Sequence, residues 1–199
     1  MNPRIVLSRP RAQHGTSMIE VLVAIVIVVV GLLGLAGLQS RASLAEMESF
    51  QRAQALVLMQ DMVDRINANR RNTAAYVTTT PLGTGTGAPA DCSGMTVIAT
   101  RDRCEWSNAL LGAAETQGGS QVGAMIGARG CVELLSAAMP RRYRVAVVWQ
   151  GLNPTAAPGA TNCGSGQYGS NELSRRAVTT TITIGCLQND PVTLACIAS

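Results

Sequence analysis

Few side chains in this 199-residue chain can do chemistry: six cysteines, one histidine and one oddly placed carboxylate stand out. Cys92, Cys104, Cys131, Cys163, Cys186 and Cys196 contain no C-x-x-C pair, the close spacing by which cysteines usually take up zinc. Widely spaced cysteines in even number, all lying beyond an apolar segment, point instead to disulfides formed in an oxidising compartment. Their connectivity stays open, with Cys186 and Cys196 the most local pair. The carboxylate is Glu20. It stands at the mouth of an uncharged run, Val21 to Leu38, built only from Val, Leu, Ile, Ala and Gly. A charge deep in hydrocarbon costs about 2.5–3.5 kcal/mol, whereas each Val, Ile or Leu favours insertion by about 0.3–0.6 kcal/mol. The run therefore inserts despite Glu20, and the acidic group calls for a partner.

Other patterns carry less. Thr78 to Gly87 alternates Gly and Thr in the manner of a phosphate cradle, but no G-K-[ST] follows and no strand precedes it, so a turn-rich loop is expected. Arg141, Arg142, Arg144, Arg175 and Arg176 could line a basic edge that contacts phosphates; a solvated strand edge protected by charge is the alternative. No paired carboxylates stand out. No metal, no cofactor and no catalysis are expected.

Charge placement sets orientation. The formal net charge is +4, and all sixteen cations are Arg. Arg4, Arg9 and Arg11 precede the apolar run without any acidic residue, which predicts a cytoplasmic N-terminus and an exported C-terminal part. Setting those three aside leaves 13 Arg against 12 acidic residues, or +1, so nucleic acid is not an expected partner.

The elements that must hold these residues follow from periodicity. Between Ser40 and Arg71 there is neither Pro nor Gly, and Leu44, Met47, Ala55, Leu58, Met59, Met62 and Ile66 recur at helical steps. One helix from Thr16 to Arg71 is predicted, about 84 Å long at 1.5 Å per residue, amphipathic in its second half. Glu46, Glu48, Arg52, Asp61 and Arg65 should form its solvated face. A short helix is predicted over Arg101 to Leu111, with Trp106 as a core anchor. Strands are predicted at Cys131 to Ala137, Tyr143 to Gln150 and Ala177 to Ile184, the first two joined by a turn at Met139 to Arg142. Asn153 to Ser170, dense in Gly, Pro and Ser, should be a long loop. A long helix followed by a small antiparallel sheet is an α+β fold.

The segment Gly15-Thr16-Ser17-Met18-Ile19-Glu20-Val21, with its basic leader and apolar run, resembles the prepilin signal of type IV pilins and pseudopilins. The resemblance implies cleavage by a prepilin peptidase between Gly15 and Thr16, N-methylation of Thr16, and an assembly salt bridge from Glu20 to the N-terminal ammonium of a neighbouring subunit. It implies a cleaved leader (1–15), a transmembrane and filament-packing helix (16–40), an amphipathic half (41–71) and a periplasmic or extracellular head (72–199) of the type IV pilin fold. Cys186 to Cys196 resembles the disulfide-closed tail of such heads. The only histidine, His14, falls within the leader, so the mature chain would lack the usual general base.

Ser17 to Ala24, Glu105-Trp106, Tyr143 to Gln150 and Arg175-Arg176 resemble a minor pilin. That implies other minor pilins, the major pilin, the pilus assembly platform and membrane lipid as partners. It also implies a place first in the inner membrane and then in the pilus, with roles in pilus assembly, twitching motility and adhesion. A type II secretion pseudopilin and a membrane-anchored DNA- or surface-binding module remain as alternatives. Thr16 departs from the Phe or Met usual at its position. Gly31, Gly34 and Gly37 suit either local unwinding or close helix packing.

Overall fold

A chain stretch without Pro or Gly after residue 37 lets one helix run unbroken from membrane-like to head-like sequence. The computed structural model describes residues 17–113, 116–117, 120–121, 125–170 and 172–186. Helix α1 spans Met18–Ala68, 51 residues. The chain divides into two units, Met1–Leu44 and Ala45–Ser199. In the first, every described residue from Ser17 to Leu44 is exposed. An 18-residue window of α1 reaches a mean hydropathy of 3.1, long and apolar enough to cross a membrane. The helix continues through Gly31, Gly34 and Gly37, and no atom would crowd a Cβ at any of them.

In the second unit, α1 buries Gln51, Ala55, Leu58, Met59, Met62, Val63 and Ile66, the three- and four-residue spacing of one helical face. α1 ends at Ala68, short of the expected Arg71, and the backbone rewinds into a 3₁₀ helix over Arg70–Tyr76 with a break at Asn72 (φ −116°). The rewinding delivers Tyr76 to the core, where it is fully buried and its hydroxyl accepts from the Asn69 side chain at 3.2 Å.

Strand β1 (Leu82–Gly83) follows, then α2 (Ile98–Leu110). A two-strand hairpin comes next, β2 (Thr116–Gln117) with β3 (Ser120–Gln121). The chain continues as β4 (Arg129–Ser136), β5 (Arg141–Gln150) and β6 (Arg175–Ile184). The main sheet has the order β1-β4-β5-β6, antiparallel throughout. The three predicted strands are present with ends shifted by two residues at most. The helix predicted from Arg101 starts three residues earlier. β1 adds a two-residue strand inside the expected turn-rich Thr/Gly loop. Its two residues pair with Arg129 and Gly130, and Gly83 (φ +96°) holds a backbone that a Cβ would press to 2.6 Å from the Ala128 carbonyl.

Alternation sorts the sheet's faces. Tyr143, Val145, Val147 and Trp149 of β5, Val132 of β4, and Val178, Ile182 and Ile184 of β6 join the α1 face in one core. Trp106 and Leu110 of α2 close that core, and Trp106 is fully buried with its indole N–H donating to the Leu58 carbonyl at 2.8 Å. The opposite face carries Cys131, Ala146 and Val148 under Cys163 and Tyr168, so the long loop after β5 is packed down on the sheet.

Candidate functional site

The first turn of α1 is where the apolar run meets a charge. Ser17 starts the helix: its hydroxyl accepts from the Ile19 amide at 3.3 Å, and its carbonyl accepts from the Glu20 amide at 3.0 Å. Glu20 thus stands three residues after a serine cap, the spacing of a capping box, where the helix dipole favours a carboxylate. The S-x-x-E pattern of Ser17 and Glu20 is the sequence signal of this local stabilisation. Dipole stabilisation of an exposed carboxylate is about 0.3–1 kcal/mol, well short of the burial cost in lipid. A second partner is still needed once the helix enters an apolar medium.

Glu20 heads a stripe with Val21, Ala24, Ile25, Val28 and Val29, residues that share one side of the helix at i, i+4 and i+8 steps. Ala24 is the one small side chain among them. Thirteen Val, Ile and Leu residues lie between Val21 and Leu38, and together they favour an apolar surround by about 4–8 kcal/mol. All thirteen are exposed. Gly15 and Thr16, the residues of the expected cut and methylation, lie outside the described residues.

The head is locked by disulfides. Cys92 is bonded to Cys104, and Cys131 to Cys163, with Cα–Cα distances of 5.8 and 5.9 Å. Cys186 is also disulfide-bonded. Cys196 lies outside the described residues. Among the described residues no cluster of His, Cys, Asp and Glu could hold a metal ion.

Charged residues expected on open surfaces are instead cross-linked. The supposed solvated face of α1 holds a hub: Arg65 donates to Asp61 on its own helix, and to Asp102 at 3.1 Å and Glu105 at 2.6 Å on α2. Burial works against the charge on Arg65, but hydrogen bonds to Glu105, Asp61 and Asp102 outweigh it and hold its pKa above the ordinary value. Asp102 also accepts from the Tyr76 hydroxyl. Burial first, and that hydrogen bond second, push the Tyr76 phenol up to about 12. The i,i+4 spacing of Asp61 and Arg65 was the only sequence signal of this hub.

Three of the five arginines expected along a basic edge are paired with carboxylates. Arg144 pairs with Glu133 at 3.0 Å, and Arg176 reaches Glu48 of α1 at 3.4 Å. Arg175 is 4 % exposed; it pairs with Glu172 and donates to the carbonyls of Thr161, Cys163 and Pro158. Antiparallel pairing turns neighbouring residues to opposite faces, so Arg175 clamps the outer loop while Arg176 faces α1.

A long apolar helix that continues into a core, a four-strand antiparallel sheet laid against it and a disulfide-locked outer loop make the type IV pilin fold. That class is structural and non-enzymatic. Residues 37–106 match the family model described as type IV pilin Tt1218, and residues 10–36 match the prokaryotic N-terminal methylation motif. The chain is therefore pilin-like, and its motif implies processing by a prepilin peptidase and assembly into a pilus. No curated protein and no solved structure matches it.

Proposed function

We propose that this chain is a minor pilin, cut between Gly15 and Thr16, methylated on Thr16, held in the inner membrane with its N-terminus in the cytoplasm, and then packed into a type IV pilus. The observation that carries this reading is Glu20 in the first turn of a helix whose apolar residues from Val21 to Leu38 are exposed on every side. Cleavage after Gly15 leaves an ammonium on Thr16. An opposite charge about 4 Å from Glu20 returns roughly 4 kcal/mol at an effective dielectric of about 20, enough to offset burial of the carboxylate. Neighbouring subunits supply both the charge and the apolar cover. Residues 1–15 are then the leader, 16–40 the packing helix, 41–71 the part that continues into the head, and 72–199 the rest of the head. Within the class, the resemblance of Ser17 to Ala24, Tyr143 to Gln150 and Arg175-Arg176 favours the minor pilin PilV, with roles in twitching motility and adhesion. Its partners would be the major pilin, other minor pilins and the assembly platform.

The test is the N-terminal sequence and mass of the mature chain, together with Glu20→Val. A start at Thr16 with Glu20→Val processed normally but missing from sheared filaments supports the reading. Wild-type amounts of the variant in filaments would refute it. Loss of exoprotein secretion, with surface pili intact, in a deletion strain would move the chain to a secretion pseudopilin.

A further inference from the structure

We infer that the head binds an acidic saccharide, in the cleft between the Thr/Gly loop and the loop that carries Cys163, with Arg129 as the cation that meets the sugar carboxylate. The cleft encloses about 520 Å³, within the range of small-molecule sites. Thr84, Asn162, Ser165 and Gln167 line it around Arg129. Hydroxyls and carboxamides both donate and accept hydrogen bonds, as the hydroxyls of a sugar do.

Arg129 is built into place rather than loose. Its guanidinium lies 5.0 Å over the ring of Tyr168, and it donates to the Gly127 carbonyl at 3.1 Å and to Gln167 Oε1 at 3.4 Å. Tyr168 is itself anchored, its hydroxyl donating to the Gly127 carbonyl at 2.6 Å. Both acceptors of Arg129 are neutral. Among the described residues no carboxylate pairs with it, whereas Arg144, Arg175 and Arg176 each have one. The acidic residue of the loop, Glu172, is taken by Arg175 and by the Gly166 amide. Gly85 (φ +97°) holds a left-handed turn in the facing loop, and a Cβ there would stand 3.8 Å from Arg129 Nη2, an ordinary contact. An oriented, partly unused guanidinium fork matches one carboxylate in bidentate fashion. One cation among neutral polar groups suits a uronate better than a phosphate, which a site of several cations would serve.

The cleft lies wholly within the head, so the proposal does not depend on filament assembly. Its test is calorimetric titration of the full-length chain in detergent micelles with tetragalacturonate, with maltotetraose and with inorganic phosphate. Gln167→Glu is the variant, because it sets a carboxylate where Arg129 already donates and neutralises the cation in place without removing its packing. Tetragalacturonate should bind about tenfold or more tightly than either maltotetraose or phosphate, and Gln167→Glu should weaken it about tenfold or more at an unchanged melting temperature. Asn162→Leu, at an exposed cleft position, should weaken tetragalacturonate as well. Absence of tetragalacturonate binding, equal affinity for phosphate, or wild-type affinity in Gln167→Glu would overturn the inference.

Discussion

A methyl group on Gly130 should be among the most damaging single additions to the head. A Cβ there would lie 2.2 Å from Trp106 Cη2, 2.6 Å from Cζ3 and 2.7 Å from Leu110 Cδ1. Carbon atoms settle at about 3.5–4.0 Å, so the indole would have to move by more than about 1 Å. It has nowhere to go: Trp106 is fully buried, and its N–H is held by the Leu58 carbonyl of α1 at 2.8 Å. Retreat gives up about 1 kcal/mol of hydrogen bond, and the forced repacking adds about 1–3 kcal/mol. Gly130→Ala should therefore cost about 2–4 kcal/mol, a fall in melting temperature on the order of 10 °C. Urea and thermal unfolding of the oxidised chain, followed by near-UV circular dichroism, would measure it. Trp106→Phe removes the ring atoms that meet the new methyl, so the double variant should be more stable than the sum of the two single losses by about 0.5–3 kcal/mol. A Gly130→Ala protein within about 0.5 kcal/mol of wild type, or strict additivity in the double variant, would refute the reasoning.

Two further outcomes concern the rest of the head. Tyr76 has its pKa raised from the ordinary 10.0 to about 12, so its contribution is complete below pH 10 and is lost as pH climbs toward 12. Stability measured across that window should fall more steeply for wild type than for Tyr76→Phe, and parallel curves would contradict the hub described above. Replacing Cys131 and Cys163 by Ala opens a link across 32 residues and should cost about 3–4 kcal/mol, roughly 1 kcal/mol more than opening Cys92–Cys104 across 12 residues. Limited proteolysis with mass spectrometry should then find new cuts between residues 151 and 174; an unchanged digestion pattern would show that Arg175 and Tyr168 hold that loop without the disulfide.

Much of the architecture was legible before any coordinates. The three- and four-residue spacing from Ala55 to Ile66 located the buried face of α1, and the alternation Val178, Thr179, Thr180, Thr181, Ile182 marked β6. Trp106 was correctly placed as a core anchor. What escaped was any feature made by two distant segments. β1 is two residues long and exists only because Arg129 and Gly130 offer it a partner, so no local pattern could reveal it. Arg65 resembles any solvated helix arginine until α2 brings Asp102 and Glu105 against it.

The sequence by itself determined what depends on neighbours along the chain. It determined an apolar run with a carboxylate three residues after Ser17, a helix free of breakers, alternating strands, and cysteines spaced for disulfides rather than metal. These follow from backbone geometry and the cost of moving side chains between water and oil, which act residue by residue. The tertiary structure alone decided which cysteines meet, which carboxylates Arg144, Arg175 and Arg176 find, and that Arg129 faces a polar cleft. A charge carries no record of its partner in its own sequence; only the stacking of β4, the outer loop and the Thr/Gly loop sets who stands beside whom.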